Sequence, residues 1–166
     1  MLTGPTVSSL QGAPRSTHDI NIVVELSWGD FNALLEEFSP PAYETNEAAA
    51  RDAMIADRND ALFSTMDAES GYKIDFWILS EDAFDLSRFS RKRVIQWQGI
   101  SIVVSSPEDT ILQKLRWAKK SGGSERQIED ARAVYSIQGD ALDMNYLDRW
   151  AQRLGVQSEL EHIRSS

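Results

Sequence analysis

The hydrophobic period of this chain changes near residue 105, and that change restricts the folds open to it. Before it, apolar residues fall mainly in short β-branched runs with partial alternation; after it, they recur at helical spacing to the C-terminus. The run Asp19, Ile20, Asn21, Ile22, Val23, Val24 reads as a largely buried strand, and Gly4, Gly12 and Pro14 punctuate the segment ahead of it. Residues 61–66 and 72–79, separated by 67–71, read as one hairpin, and 94–97 with 100–104, split at Gln98-Gly99, as a second. Two helices interrupt these strands. Phe31, Leu34, Leu35 and Phe38 form one helical stripe over 30–38, ended by Pro40-Pro41, and the alanine-rich segment 46–59 supplies the other.

Past the change of period the helix starts are well marked. Ser106-Pro107-Glu108-Asp109 offers an N-cap serine, a first-turn proline and an acidic side chain three residues on, ahead of Ile111, Leu112, Leu115 and Ala118. Ser124 with Gln127 repeats the capping box before Ile128, Ala131, Val134 and Tyr135. Asp143 precedes Tyr146, Leu147, Trp150 and Leu154, with Gly155 closing that helix, and a short last helix is expected after Ser158, with Glu161 as its capping partner. No repeat or linker divides the chain. The expected class is α/β, of the α+β kind: a sheet core with flanking helices over 1–105 and a helical extension over 106–166 packed on the same domain.

Composition removes several function classes. With 42% hydrophobic and 26% charged residues the chain is of globular type, and no window approaches the roughly 18 consecutive apolar residues of a membrane span, so no membrane partner is expected. The first eleven residues lack the basic and apolar regions of a signal peptide. Absence of cysteine excludes disulfides, thiolate metal sites and cysteine nucleophiles, and a reducing, cytoplasmic setting is expected. Walker, dinucleotide-binding, Gly-x-Ser-x-Gly and His-Glu-x-x-His patterns are all absent. His18 and His162 stand alone and read as surface or packing residues. Charge is uneven: residues 1–87 hold 4 basic and 16 acidic side chains, whereas 88–166 hold 13 basic and 10 acidic. Arg88, Arg91, Lys92, Arg93, Lys114, Arg116, Lys119 and Lys120 would attract phosphates if they shared one surface; the plainer reading is a solvated face.

What remains is a set of carboxylates on strands. Alternation puts Asp19 and Asn21 on one face of their strand and Ile20 and Ile22 on the other. Asp75 lies in the apolar run Lys73-Ile74-Asp75-Phe76-Trp77-Ile78, where a charge must reach water, a cation or a hydrogen-bond network; the simplest arrangement is a strand end paired with a nearby Lys or Arg.

Together these residues resemble the nucleotidyltransferase superfold. The stretch from Thr3-Gly4-Pro5 through Gly12-Ala13-Pro14-Arg15-Ser16-Thr17 to His18-Asp19-Ile20-Asn21 is similar to the family's Gly-Ser turn followed by Gly-x-Pro-Arg-x-Thr-x-Asp-x-Asp. Tyr72-Lys73-Ile74-Asp75 matches the strand bearing the third carboxylate. Ser106-Pro107-Glu108-Asp109 with Leu112, Lys114-Leu115, Arg126-Gln127 and Asp130 resembles the helical tail of minimal bacterial nucleotidyltransferase-like proteins, related to the type IV toxins of abortive-infection toxin–antitoxin systems. The resemblance covers nearly the whole chain and implies a small mixed sheet flanked by helices.

It further implies two Mg²⁺ ions held by carboxylates, with transfer of a nucleoside monophosphate from an NTP to a hydroxyl of RNA or protein. Asp19 and Asp75 would be catalytic, with Asp19, Asn21 and Asp75 as metal ligands. Gly4, Arg15 and Lys114 would contact the nucleotide. Arg126 and Asp130, four apart, read equally well as a surface ion pair. Three departures bear on activity. Asn21 stands in place of the second aspartate and lowers metal affinity, and Pro5 replaces the serine after the glycine. Met1 falls where the family's first strand would be nearly finished, so an uncovered sheet edge and self-association are expected. The implied activity is therefore weak or lost. The alternative is a non-catalytic interaction or nucleotide-binding module in a toxin–antitoxin or defence setting, partnered by an antitoxin or forming a homo-oligomer.

Overall fold

The computed structural model describes residues 1–56 and 60–165. Its strands are β1 (Leu2–Thr3), β2 (Asp19–Val24), β3 (Tyr43–Thr45), β4 (Leu62–Asp67), β5 (Lys73–Ile78), β6 (Arg93–Trp97) and β7 (Ile100–Val104). Its helices are α1 (Gly4–Gln11), α2 (Trp28–Glu37), α3 (Glu47–Ile55), α4 (Ala83–Ser90), α5 (Pro107–Lys120), α6 (Glu125–Gln138), α7 (Met144–Leu154) and α8 (Gln157–Arg164). Among the described residues the strands form one mixed sheet in the order β3-β4-β5-β2-β1-β7-β6.

Alternation decides which way each strand faces. β4 and β5 are antiparallel, with Phe63 opposite Phe76, and β5 runs parallel to β2, with Ile20 abreast of Ile74 and Asn21 abreast of Asp75. Ile20, Ile22, Ile74 and Phe76 therefore share one face, where they pack with Phe63, with Phe31 of α2 and with Ala50 and Ala53 of α3. The intervening residues, Asp19, Asn21, Lys73, Asp75 and Trp77, project from the opposite face. A second apolar cluster joins Ile111, Leu112 and Leu115 of α5, Ala131 and Val134 of α6, Leu147 and Trp150 of α7 and Leu160 and Ile163 of α8. Phe84, from α4, packs into it as well.

Several elements differ from the sequence reading. The glycine-punctuated start is a helix, α1, with Pro5 in its first turn; only Val7, Ser8 and Gln11 are buried along it, too few apolar positions to leave a period. Helix α2 begins two residues early because Ser27 and Asp30 form a reciprocal capping box. Helix α3 ends at Ile55; the remainder of the expected 46–59 helix includes residues 57–59, which lie outside the described residues. Neither the short edge strand β3 nor the eight-residue helix α4 is assigned from the sequence. α4 is started by Asp82, whose carboxylate accepts from the N–H groups of Phe84 and Asp85. Ser124 stands at the N-cap of α6 without a side-chain cap bond. α8 starts at Gln157, not after Ser158, and Glu161 accepts from Arg164 instead of closing a cap.

The two-residue strand β1 lies in the middle of the sheet. Leu2 and Thr3 pair antiparallel with Ile22 and Asn21, Leu2 pairs parallel with Val104, and the Met1 ammonium donates to the Val23 carbonyl at 2.9 Å. The edge of β2 is thereby covered. Among the described residues, Ile100 to Val103 of β7 have no strand on the β1 side, and Val94, Trp97, Ile100 and Val103 of that ribbon are exposed. No helix among the described residues is long and apolar enough to cross a membrane.

Candidate functional site

The polar face of the sheet, the start of α1 and one side of α4 and α5 enclose a cleft of about 330 Å³, within the range of small-ligand pockets. Asp19, Asn21, Asp75 and Trp77 line it from the sheet, Gly4 and Pro5 from α1, and Lys114, Arg116, Trp117 and Lys120 from α5.

Asp75 is 7% exposed in the middle of β5. The Ser64 hydroxyl, directly across on β4, donates to its Oδ1 at 2.5 Å, and the Lys73 ammonium sits 2.9 Å from Oδ1 and 3.1 Å from Oδ2. The sequence reading of a carboxylate paired with a nearby lysine thus describes the partner, while the strand-end position it assumed does not occur. Beside Asp75, the Asn21 amide oxygen accepts from the Trp77 indole N–H at 3.0 Å. Asn21 also packs on Gly4: a Cβ there would lie 2.9 Å from Asn21 Nδ2, and φ is +68°, so both space and backbone conformation call for glycine. Pro5 sits in the first turn of α1, where its missing N–H breaks no intrahelical bond. Asp19 is exposed at the N-terminal end of β2, and its carboxylate has no hydrogen-bond partner among the described residues.

Arg15 and Lys114, expected on the nucleotide, meet on one carboxylate instead. Arg15 Nε and Nη2 donate to the two oxygens of Asp130 at 2.8 Å each, and Lys114 Nζ donates to Asp130 Oδ2 at 2.6 Å. Asp130 is therefore bound to these two cations and not to Arg126. Burial opposes ionisation of Asp130, but the bonds from Arg15 and Lys114 outweigh it and hold the carboxyl below its ordinary range. Burial pushes Lys114 down, only partly offset by Asp130, whereas the hydrogen bond to Asp130 raises Arg15. Lys114 lines the cleft with its charge committed; Arg15 lies outside the lining.

The basic stretch is largely consumed in the same manner. Arg88 pairs with Asp85 at 2.8 Å, Arg91 and Arg93 with Glu108 at 3.1 and 3.5 Å, and Arg116 with Asp82 and Asp85 at 3.6 and 3.8 Å. Lys119 donates to the Gly155 carbonyl. Lys120 has no carboxylate partner among the described residues and lies 5.3 Å from the Trp117 ring. The charge run is therefore no single phosphate-binding surface. His18 is a packing residue, 5.6 Å from the Tyr72 ring.

Sequence reasoning missed Lys73, Ser64, Trp77 and Trp117. The rings of Trp77 and Trp117 meet edge to face at 5.7 Å and line the cleft. Alternation could have found Lys73 and Trp77, each two residues from Asp75, and helical spacing could have found Trp117, three after Lys114.

The oxygens offered here do not fit a two-metal centre. Both Asp75 oxygens already accept from Ser64 or Lys73, and the Asn21 oxygen accepts from Trp77, which leaves Asp19 as the uncommitted sheet carboxylate among the described residues that line the cleft. Among the described residues no group of three or more His, Cys, Asp or Glu side chains is arranged to hold a metal ion.

This mixed sheet, with one helix-covered apolar face, a carboxylate-bearing polar face and a helical C-terminal part, has a nucleotidyltransferase-like fold by comparison with a solved structure: the crystal structure of an antigenic nucleotidyltransferase-like protein from Paracoccidioides brasiliensis matches with a TM-score of 0.54, over 98% of this chain and 82% of that one, at 14% identity. No family model and no curated protein matches the sequence.

Proposed function

We propose that this cleft binds a nucleotide and that Mg²⁺-dependent transfer of a nucleoside monophosphate to RNA or protein is weak or lost. The observation that carries the reading is the commitment of the Asp75 and Asn21 oxygens to donors of the protein itself. A two-metal clamp needs hard oxygens free on both sides of the reacting phosphorus, and among the described residues the sheet offers one uncommitted carboxylate, Asp19, to the cleft. Nucleotide binding draws support from the fold, from the two indoles in the cleft and from the Lys120 ammonium beside Trp117, which has no carboxylate partner among the described residues. The motif resemblance to toxin nucleotidyltransferases supports a toxin–antitoxin or defence setting, with an antitoxin or a second copy of the chain as protein partner.

The test is the melting temperature with each of the four NTPs, alongside an assay for released pyrophosphate. A nucleotide at about 100 times its Kd adds about 2.7 kcal/mol to the folded state. The expected result is a shift with at least one NTP and no pyrophosphate. Absence of any shift, or turnover abolished by Asp19→Ala, would contradict the reading.

A further inference from the structure

Lys73 sits where a cation is needed. Its ammonium lies within 3.1 Å of both Asp75 oxygens, and the register sets Lys73 abreast of Asp19 on the neighbouring strand. The contact is local, two residues apart on one strand, and the Lys73 side chain is 44% exposed, so neither fold nor burial forces it. Ser64 adds a donor to the same carboxylate, and Trp77 closes off the neighbouring amide oxygen.

We propose that the Lys73 ammonium is the resident cation of Asp75, holding the place on that carboxylate that a divalent metal would require, so that the cleft takes a phosphate-bearing ligand without Mg²⁺. This rests on the nucleotide reading above and deepens it. The negative charge of Asp75 is neutralised by a single positive charge, where a divalent ion would leave a net positive charge for phosphate. A metal approaching Asp75 meets a like charge, and Lys73 must leave before it can bind. Phosphate charge is met from the opposite wall, where Lys120 has no carboxylate partner among the described residues.

Titration of the full chain with Mn²⁺ alone, followed by the electron paramagnetic resonance signal of the free ion, tests Lys73 without any nucleotide. Removing a unit positive charge a few ångströms from the ion is worth roughly tenfold or more in affinity. Lys73→Met is therefore expected to bind Mn²⁺ at least about tenfold more tightly than the unmodified chain. Lys73→Arg should behave like the unmodified chain, and the gain should vanish in Lys73→Met combined with Asp75→Asn. Circular dichroism establishes that each variant is folded, and Lys73→Gln serves if Lys73→Met is not. Mn²⁺ binding by the unmodified chain as tight as that of Lys73→Met overturns the proposal, as does a folded, uncharged variant that gains no affinity. A melting shift with NTP that is equal in EDTA and in Mg²⁺ is expected of the unmodified chain. If no NTP shifts the melt, the nucleotide reading alone fails, and the Mn²⁺ titration still decides the role of Lys73.

Discussion

Asp130 and Asp75 are both nearly buried carboxylates held by lysine, yet they do different work. The donors to Asp130 come from afar: Arg15 is 115 residues away and Lys114 is 16, so the cluster ties the segment after α1 to α5 and α6. Lys114 is 4% exposed. Asp75 takes its cation from two residues away on its own strand, through a side chain that is nearly half exposed. A buried carboxylate fixed by distant cations, one of them buried, is part of the fold. One fixed by a local, exposed cation beside a cleft can exchange that cation, and there the chemistry of the site is decided.

Side-chain removal should separate the two sharply. Asp130→Ala leaves two cations without their shared counter-charge, one of them buried, and is expected to cost about 3–5 kcal/mol in urea unfolding. Lys73→Met, in the same assay, should cost about 1 kcal/mol or less, because its partner borders the cleft and the lysine is exposed. Comparable losses would mean that Asp75 and Lys73 are as structural as Asp130.

Acid provides a smaller and graded contrast. Asp130 and Glu108 both have folded-state pKa values below their ordinary ones: burial works against ionisation, and hydrogen bonds outweigh it, from Arg15 and Lys114 on Asp130 and chiefly from backbone N–H groups on Glu108. Their stabilisation is present above the ordinary carboxylate range near pH 4 and is lost as the pH falls through the lower folded values. Asp109 has the opposite sign. Burial raises its pKa despite bonds from Ser106 and Tyr146, so its contribution favours folding at low pH and fades as the pH rises through the raised value. The unfolding midpoint measured downward from pH 6 should therefore fall most steeply below about pH 4, and Asp130→Asn should flatten that fall. An unchanged slope in Asp130→Asn would remove Asp130 from the account.

The same distinction between local and distant pairing explains what was legible in the sequence. Strands β2, β4, β5, β6 and β7 and helices α5 and α7 are marked by period and cap, because an apolar face must recur at the spacing of the element that buries it. Helix α1 was not legible. Its sequence Gly-Pro-Thr-Val-Ser-Ser-Leu-Gln buries Val7, Ser8 and Gln11, and part of what holds it is distant: Ser8 reaches Asp130, and Gln11 donates to the Ser105 carbonyl at 2.7 Å. Of the candidate residues, Gly4, Asp19, Asn21, Asp75 and Lys114 do line one cleft, and motif order alone brought them together. Arg15 does not, since its attraction to Asp130 depends on helix packing that no local pattern records. Lys73 lies inside the motif that carries Asp75; a nearby Lys or Arg is expected beside that carboxylate, but no local pattern singles out which one.

The most direct measurement is a crystal structure of the chain grown with ATP and Mn²⁺, with anomalous scattering collected to locate the metal. The account predicts nucleotide in the cleft, the Lys73 ammonium still on Asp75 and no manganese peak there. A manganese ion bridging Asp19 and Asp75, with Lys73 displaced, would contradict it.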